Sequence, residues 1–453
     1  MKLIQILLAA LLISNRAAGG EPLWPTQALS LGEVLSLALQ FNASIKKGRQ
    51  DSEEALGISI QQKAVSLPRV SVGGAYQQID EGKIEKVAFA PGAPAVSFQN
   101  NQSWNANLTV SQPLLAGGRI ASLRRSSSMT REAVLANFQA LVANTLLEVR
   151  IAFFDILLAA EQIGVQEASV QLLERELADT QRRFEAGTVP KFNVLRAEVE
   201  LANARPLLIR ARNRLRIGRS SLALLLGFEV PATTDGAIPL KIAGRLEAEA
   251  FEVTLSGALA KALQRRPELE ALRVATRLRQ EEVIQARSDY YPMLSGVAGY
   301  GWQSRNFVRD LTQDLNGWTV GAQLNWNILD FGATRGKVIV ARSREEKSRI
   351  ENEDARRRIE HEVRSAHSGF FEARDVLDSQ TRVIGQAEEA LRLVGARAEA
   401  GSGTQLDVLS AQTALTQTRT VYSQALHDWS VARARLERAM GEGVSLVGAD
   451  SVR

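Results

Sequence analysis

The 453-residue chain contains no cysteine and only three histidines. Without cysteine there can be no disulfide framework, thiolate zinc site, iron–sulfur cluster or cysteine nucleophile. Long hydrophobic runs are also missing beyond the amino-terminal segment, so we expect no transmembrane helix in the mature chain. Lysine and arginine outnumber aspartate and glutamate by only 55 to 50, and the two signs are interspersed. This weak imbalance does not indicate a nucleic-acid partner.

Catalytic and metal-binding patterns are absent as well. His361 and His367 lie about 240° apart around a helix, so they do not converge on a metal ion. His427 is remote in sequence, and we interpret all three as surface histidines. The segment from Gly332 to Val338 lacks the hydroxyl residue that follows lysine in a phosphate-binding loop. The glutamate pair at 281–282 is typical of a solvated helix face. We therefore predict no enzyme activity, no metal and no cofactor.

Residues 1–20 have the pattern of a secretory signal peptide. Lys2 precedes an apolar core from Leu3 to Ile13, and small residues follow at 17–20. We expect the protein to be exported.

An internal repeat organises the rest of the chain. Residues 31–76 align with residues 255–300 at a constant offset of 224, and later matches continue at offsets of 217 and 214. The sequence therefore predicts two tandem structural repeats, 21–240 and 241–442, followed by a C-terminal tail at 443–453.

Each repeat contains a long helical pattern. Apolar residues follow alternating steps of three and four, which is typical of coiled-coil packing. Unbroken helices over about 119–186 and 334–400 would each be roughly 100 Å long at 1.5 Å per residue. Glycine-containing segments end both helices, and a second helical pattern then runs to Gly227 or Gly441. We therefore predict two long antiparallel helical hairpins.

A period of two replaces the helical period before each long helix. Apolar and polar residues alternate there, as in a strand with one lipid-facing side and one wet side. Pro68 and Pro292 should stop the helices that precede the first strand of each repeat. Trp104, Trp318 and Trp326 are candidate anchors at a membrane interface or ordinary strand residues. The predicted strands are 70–79, 104–111, 294–303 and 318–328.

Four strands cannot close a transmembrane barrel alone. An open sheet edge in lipid leaves backbone groups unsatisfied at several kcal/mol each. The barrel must then be shared between chains. Two chains would reach the minimum of eight strands and three would supply twelve, and a lumen wide enough for solutes favours three.

These features, in this order, resemble TolC-type outer-membrane efflux proteins over Leu29 to Gly441, nearly the whole mature chain. The tandem halves carry the resemblance together with short motifs. One is the segment Gln112 to Arg119, another is Trp326 to Gly332, and Leu-Pro or Tyr-Pro precedes the first strand of each half. The strand-to-helix junction residues are Pro113, Gly117, Gly118 and Gly332.

The resemblance implies a mostly α-helical fold with a small β part. Three chains would form a twelve-stranded barrel in the outer-membrane lipid and a twelve-helix tunnel in the periplasm. A periplasmic adaptor protein would meet the helical tips and connect the duct to an inner-membrane pump. The chain would then be a passive exit duct of a tripartite efflux or type I secretion system.

Family members close the periplasmic end with acidic residues just after the second tip, and Asp407 matches that position. The predicted pore constriction comprises Asp407, Ser410 and Gln405. Because Ser410 replaces the second aspartate of the family pattern, we expect weaker blockade by cations. The alternative for Asp407 is helix capping.

The periplasmic tips are the predicted adaptor contact, since small residues allow another hairpin to approach closely. Glycines there also terminate helices. The predicted contact comprises Gly187, Thr188, Val189, Pro190, Gly401, Gly403, Thr404 and Leu406. An alternative to the duct is a soluble periplasmic coiled-coil adaptor or scaffold, which would share the export signal and the hairpins.

Overall fold

The computed structural model describes residues 27–87, 90, 92, 94, 96–97, 101–229, 238–304, 315–400 and 402–442. The predicted signal segment and C-terminal tail lie outside these residues. The helices are α1 (Leu31–Phe41), α2 (Ala43–Ala64), α3 (Arg119–Glu185), α4 (Lys191–Leu225), α5 (Leu255–Arg265), α6 (Pro267–Ser288), α7 (Ala333–Glu399) and α8 (Gln405–Ala439). The strands are β1 (Arg69–Gln78), β2 (Lys86–Val87), β3 (Val96–Ser97), β4 (Gln102–Ala116), β5 (Met293–Ser304) and β6 (Leu315–Asn325).

Corresponding helices of the two repeats have equal lengths. α1 and α5 have 11 residues each, and α2 and α6 have 22. The long helices α3 and α7 both have 67 residues, and the returning helices α4 and α8 both have 35. The prediction of tandem repeats built on long helical hairpins is therefore confirmed.

Within the described residues, the chain divides into two compact units. The first comprises 27–48, 141–265 and 359–442. Its core contains most of the central residues of the predicted coiled-coil seams, each at most 5% exposed, whereas Ala366 and Ala373 of the second seam are half-buried. The buried seam residues are Val142, Leu146, Val149, Phe153, Ile156, Ile359, Val363, Phe370 and Leu377. Burial of this narrow stripe explains why the helices remain continuous despite their many charged residues.

The second unit comprises residues 49–140 and 266–358 and contains the sheet. Its four long strands are antiparallel and lie in the order β1-β4-β5-β6. The register is regular except for a shift between Pro113 and Leu115 in β4. All four predicted strands are confirmed within a few residues, although β6 ends at Asn325 rather than at Ile328. The short β2–β3 pair in the first connection was not predicted.

The sequence pattern indicates one helix before each strand pair, but the structure has two consecutive helices there. α1 ends at Phe41 because Asn42 caps α2: its Oδ1 accepts hydrogen bonds from the amides of Ser44 at 2.8 Å and Ile45 at 3.1 Å. In the second repeat, Pro267 occupies the first position of α6, where a proline fits a helix start.

Pro68 and Pro292 were predicted to stop the preceding helices, but both helices end a few residues before these prolines. α2 ends at Ala64 and α6 at Ser288, and hydrogen-bonded turns occupy the residues before Pro68 and Pro292. The prolines therefore mark the starts of β1 and β5. Among the described helices, none combines the length and apolarity that crossing a bilayer requires.

Candidate functional site

The first helical tip joins α3 to α4 and is tightly closed. Gly187 has a φ of 73°, and its amide donates to the Phe184 carbonyl at 2.9 Å. The Thr188 amide donates to the Arg183 carbonyl at 2.9 Å. These two bonds form a Schellman helix end, which favours glycine at this position. Gly187, Thr188 and Pro190 are exposed, and Val189 is half-buried.

The second tip joins α7 to α8. The amides of Ser402 and Gly403 both donate to the Arg397 carbonyl, at 2.9 and 3.0 Å. A Cβ atom at Gly403 would lie 2.9 Å from the Ala398 amide nitrogen. Glycine is therefore required at this position, because a side chain there would overlap with the backbone at the end of α7. Thr404 and Leu406 are exposed, whereas Gly401 lies outside the described residues.

Asp407 caps α8. Its Oδ2 accepts hydrogen bonds from the Thr404 hydroxyl at 2.6 Å and from the Thr404 amide at 3.0 Å. These bonds form a capping box and hold the pKa of Asp407 below its ordinary value. The side chain is nevertheless exposed, so the carboxylate remains an accessible negative charge. Ser410 lies one turn further on the same face and is also exposed.

Gln405 is directed away from that face. Its side-chain amide donates to Glu176 Oε1 at 2.9 Å and also contacts the Thr180 hydroxyl, both on α3. The structure thus brings Asp407 and Ser410 together and places Gln405 apart from them. The Gln405 contacts attach the start of α8 to α3.

The prediction that all three histidines are surface residues is wrong for His427. This residue of α8 is 9% exposed. Its Nε2 lies 2.8 Å from Asp155 Oδ1 on α3, and its Nδ1 lies 2.9 Å from Asp428 Oδ1. Both ring nitrogens can donate to carboxylates only when the imidazole carries two protons. The geometry therefore favours a charged His427 that links α3 to α8.

Two effects compete in setting the charge of this ring. Burial opposes the charged form, but hydrogen bonds to Asp155 and Asp428 outweigh burial and raise the pKa of His427 above its ordinary value. The stabilisation is then complete below an unfolded-state pKa of about 6.5 and is lost as the pH rises through the higher folded-state pKa.

We expect thermal stability to decrease with alkaline pH more steeply in the wild type than in a His427→Gln variant, because only the wild type loses the imidazolium. Thermal midpoints measured in detergent from pH 6 to pH 9 check this. The exposed His361 supplies the control, since His361→Gln should keep the wild-type slope. Parallel curves for the wild type and His427→Gln would contradict the charged link.

Glu281 also departs from the expectation of a solvated face. It is 8% exposed, and its carboxylate oxygens accept from Arg125 at 2.7 and 2.8 Å. Hydrogen bonding by Arg125 holds the pKa of Glu281 below its ordinary value. This pair connects α6 to the beginning of α3, next to the sheet.

The strand-to-helix junctions depend on close backbone approach. Gly117 has a φ of 55°, and a Cβ atom there would lie 2.7 Å from the Ser288 carbonyl oxygen. Gly118 and Gly332 also have positive φ values, of 87° and 93°. Pro113 lies at the register shift in β4. These residues turn the chain from the sheet into the long helices.

The register of the sheet separates apolar from polar side chains. Val72 lies opposite Leu108, Leu108 opposite Tyr300, and Tyr300 opposite Trp318. Alternate positions carry mostly small or uncharged polar residues, such as Thr109 opposite Ser71 and Gly299, and Arg69 is the one charged residue among them. The other face is predominantly apolar across all four strands. Its residues include Val70, Val72, Tyr76, Trp104, Leu108, Val110, Leu294, Ala298, Tyr300, Trp302, Trp318, Val320, Ala322 and Leu324.

Aromatic residues concentrate at both ends of this apolar face. Tyr76 lies opposite Trp104 near one end, on the same side as Trp318. Trp326 lies at the other end, and its Nε1 donates to the Tyr290 carbonyl at 3.2 Å. Trp318 and Trp326 are eight residues apart, roughly 26 Å at 3.3 Å per residue. In a strand tilted by about 40°, that length rises roughly 20 Å along the barrel axis, somewhat less than the apolar band of about 25 Å in a membrane-spanning barrel.

Comparisons with known proteins agree with this architecture. The chain is 26% identical over 342 residues to the alkaline protease secretion protein AprF of Pseudomonas aeruginosa, covering 74% of the chain and 69% of the relative. It is 25% identical over 437 residues to the cobalt-zinc-cadmium resistance protein CzcC of Cupriavidus metallidurans, covering 94% of each. The crystal structure of the Campylobacter jejuni CmeC outer membrane channel superimposes with a TM-score of 0.80 at 16% identity, covering 91% of the chain and 86% of CmeC.

The family comparison covers both repeats. The outer membrane efflux protein profile matches residues 34–228 and 258–442. The predicted resemblance to TolC-type proteins is thereby confirmed, and the soluble adaptor alternative is not favoured. The chain belongs to the outer membrane efflux protein family.

Proposed function

We propose that three copies of the chain assemble into one exit duct. The observation that carries this proposal is the four-stranded sheet. In the described residues β1 pairs only with β4 and β6 only with β5, so each copy has two free sheet edges. Joining β6 of one copy to β1 of the next satisfies both edges, and three copies give twelve strands.

The apolar face supports an orientation of this barrel toward lipid. Val72, Trp318 and Val320 are 80%, 76% and 73% exposed in the single chain. So many large apolar side chains exposed on one face indicate a surface that is covered in the assembled protein, and we propose that lipid covers it. The aromatic residues at its two ends fit the two interfaces of a bilayer. The opposite, polar face would then line a water-filled lumen.

Native mass spectrometry of the detergent-purified protein tests the assembly. We expect a mass of three chains, because fewer chains leave the sheet too short to surround a solute pathway. A stable monomer or dimer in a conducting preparation would contradict the shared barrel.

We also propose that Asp407 lines the narrow periplasmic end, with Ser410 on the same face. Three exposed carboxylates around one axis would attract cations. Asp407→Asn removes the charge but keeps an oxygen that can accept the Thr404 bonds. The cation preference of the channel, measured as a reversal potential in a salt gradient, should therefore decrease without loss of the trimer.

Asp179 provides a matched control for that substitution. It lies near the first tip and forms ion pairs with Arg182 and Arg183 on its own helix. Asp179→Asn should leave the reversal potential unchanged. Equal cation selectivity of wild type and Asp407→Asn would restrict Asp407 to helix capping.

The tips are the proposed contact with a periplasmic adaptor, which would connect the duct to an inner-membrane pump. Exposure of Gly187, Thr188 and Leu406 supports this assignment. The relatives AprF and CzcC are named for secretion of a protease and for resistance to metal ions. We therefore propose a general passive duct whose cargo is selected by the pump. The proposed boundaries of the repeats are 21–240 and 241–442, after a leader at 1–20.

A further inference from the structure

Charge is almost absent from the four long strands. Across β1, β4, β5 and β6 the single charged residue is Arg69, at the end of β1 nearest the long helices. The alternation places Arg69 on the polar face, in line with Ser71 and opposite Ser111. The remaining polar-face side chains are amides, hydroxyls, glycines and a few apolar groups. Such a wall exerts little electrostatic preference between anions and cations.

The first charged cavity below that wall lies where the strands turn into helices. It has a volume of about 290 Å³ and is lined by Arg119, Asp289 and Lys337 together with Tyr291 and Asn325. Close approach at Gly117 brings the β4–α3 turn against the α6–β5 turn and so forms one side of the cavity.

The register shows which face of the sheet this cavity adjoins. Met293 lies opposite both Ala116 and Asn325, and all three line the cavity. Met293 and Asn325 occupy the positions that alternate with Leu294 and Leu324 of the apolar face. The cavity therefore adjoins the polar face and not the proposed lipid face.

The cavity carries one surplus positive charge. Lys337 Nζ lies 2.6 Å from Asp289 Oδ2, so these two charges compensate each other. Arg119 is exposed, and no carboxylate in the described part of the chain lies within ion-pair distance of its guanidinium. Arg69, at the same end of the sheet, also has no ion-pair partner among those residues.

We propose that Arg119 is a selectivity-determining residue of the duct. Three copies form a positively charged collar at the base of the neutral barrel wall, and this collar favours anionic groups such as carboxylates and phosphates on passing solutes. The inference rests on the proposed channel function. It assigns to the chain a second charged ring, opposite in sign to Asp407 and remote from it in sequence.

Reversal potentials in a potassium chloride gradient test the collar with variants of opposite effect. Arg119→Gln should raise the ratio of cation to anion permeability roughly tenfold at 0.1 M salt. Three screened charges placed about 8 Å from the solute path would change the cation and the anion permeability about threefold each, in opposite directions. Asp289→Asn should lower the same ratio, because it removes the compensating negative charge. Arg119→Lys keeps the charge and should retain the wild-type ratio.

The outcomes separate this inference from the channel function. Channels that conduct but show the same ratio in wild type, Arg119→Gln and Asp289→Asn would overturn the collar and leave the duct intact. Shifts of the two variants in the same direction would also overturn it, since a general distortion does not depend on the sign of the removed charge. A wild-type protein that does not conduct would contradict the proposed function itself.

Discussion

Ala322→Arg should prevent stable insertion of the protein into the outer membrane. Ala322 lies on the apolar face of β6, four residues from each of Trp318 and Trp326. It is therefore close to the proposed bilayer midplane. A charged side chain there costs about 2–4 kcal/mol in a transmembrane barrel, and the assembled trimer would bear that cost three times.

The next residue along the strand supplies the control. Gln323 faces the opposite side of the sheet, so Gln323→Arg should insert and assemble as the wild type does. The amount of heat-resistant trimer in isolated outer membranes measures the difference. Equal amounts for Ala322→Arg and Gln323→Arg would show that the apolar face does not contact lipid.

Alanine substitutions at three glycines that end helices should destabilise the protein to different degrees. Gly187, Gly441 and Gly227 have φ values of 73°, 79° and 74°, so each alanine incurs a left-handed backbone cost of about 1–2 kcal/mol. Their surroundings differ. A Cβ atom meets nothing within 4 Å at Gly187, Arg265 atoms at 3.1 Å at Gly441, and the Phe41 carbonyl oxygen at 2.5 Å at Gly227.

Steric overlap adds to the backbone cost where the space is filled. Overpacking typically costs a further 1–3 kcal/mol, so Gly227→Ala should lose about 2–5 kcal/mol. Thermal midpoints in detergent should decrease in the order Gly187→Ala, Gly441→Ala, Gly227→Ala, with the last the least stable. Equal destabilisation by Gly187→Ala and Gly227→Ala would contradict the close packing of the end of α4 against the end of α1.

Local patterns in the sequence were sufficient to predict the repeats, the hairpins and the strands. The long helices follow from an apolar seam that recurs over many turns, and the strands from strict alternation. Even the bounds of α3 are predicted within one residue, because Gly118 and Gly187 flank it. The breaks after Phe41 and Arg265 were missed since the apolar pattern continues across them and only a capping residue or Pro267 marks the new start.

The side-chain links between distant segments could not be predicted in this way. His427 meets Asp155 across 272 positions of sequence, and Gln405 meets Glu176 across 229. Nothing in the local pattern indicates which carboxylate a buried histidine will face. The same holds for Glu281. The charged residues around it in the sequence are typical of an exposed helix, yet Arg125 pairs with it and it is buried. Such contacts depend on how the helices align with one another, and the periodicity of the sequence does not determine that alignment.

The site residues fall between these two cases. The position of Asp407 at the start of α8 follows from the tip motif, and the structure shows that its exposed carboxylate also caps the helix. Capping and pore lining are compatible, because the bonds to Thr404 keep the group ionised. The collar at Arg119 required the register of β5 and β6, which no spacing in the sequence provides.

The central claim is that this chain forms a water-filled duct through the outer membrane. Single-channel recording of the detergent-purified protein in a planar lipid bilayer tests it most directly. The shared barrel predicts discrete conductance steps from a protein that requires detergent to stay in solution. A protein that remains soluble without detergent and adds no conductance to the bilayer would contradict the duct.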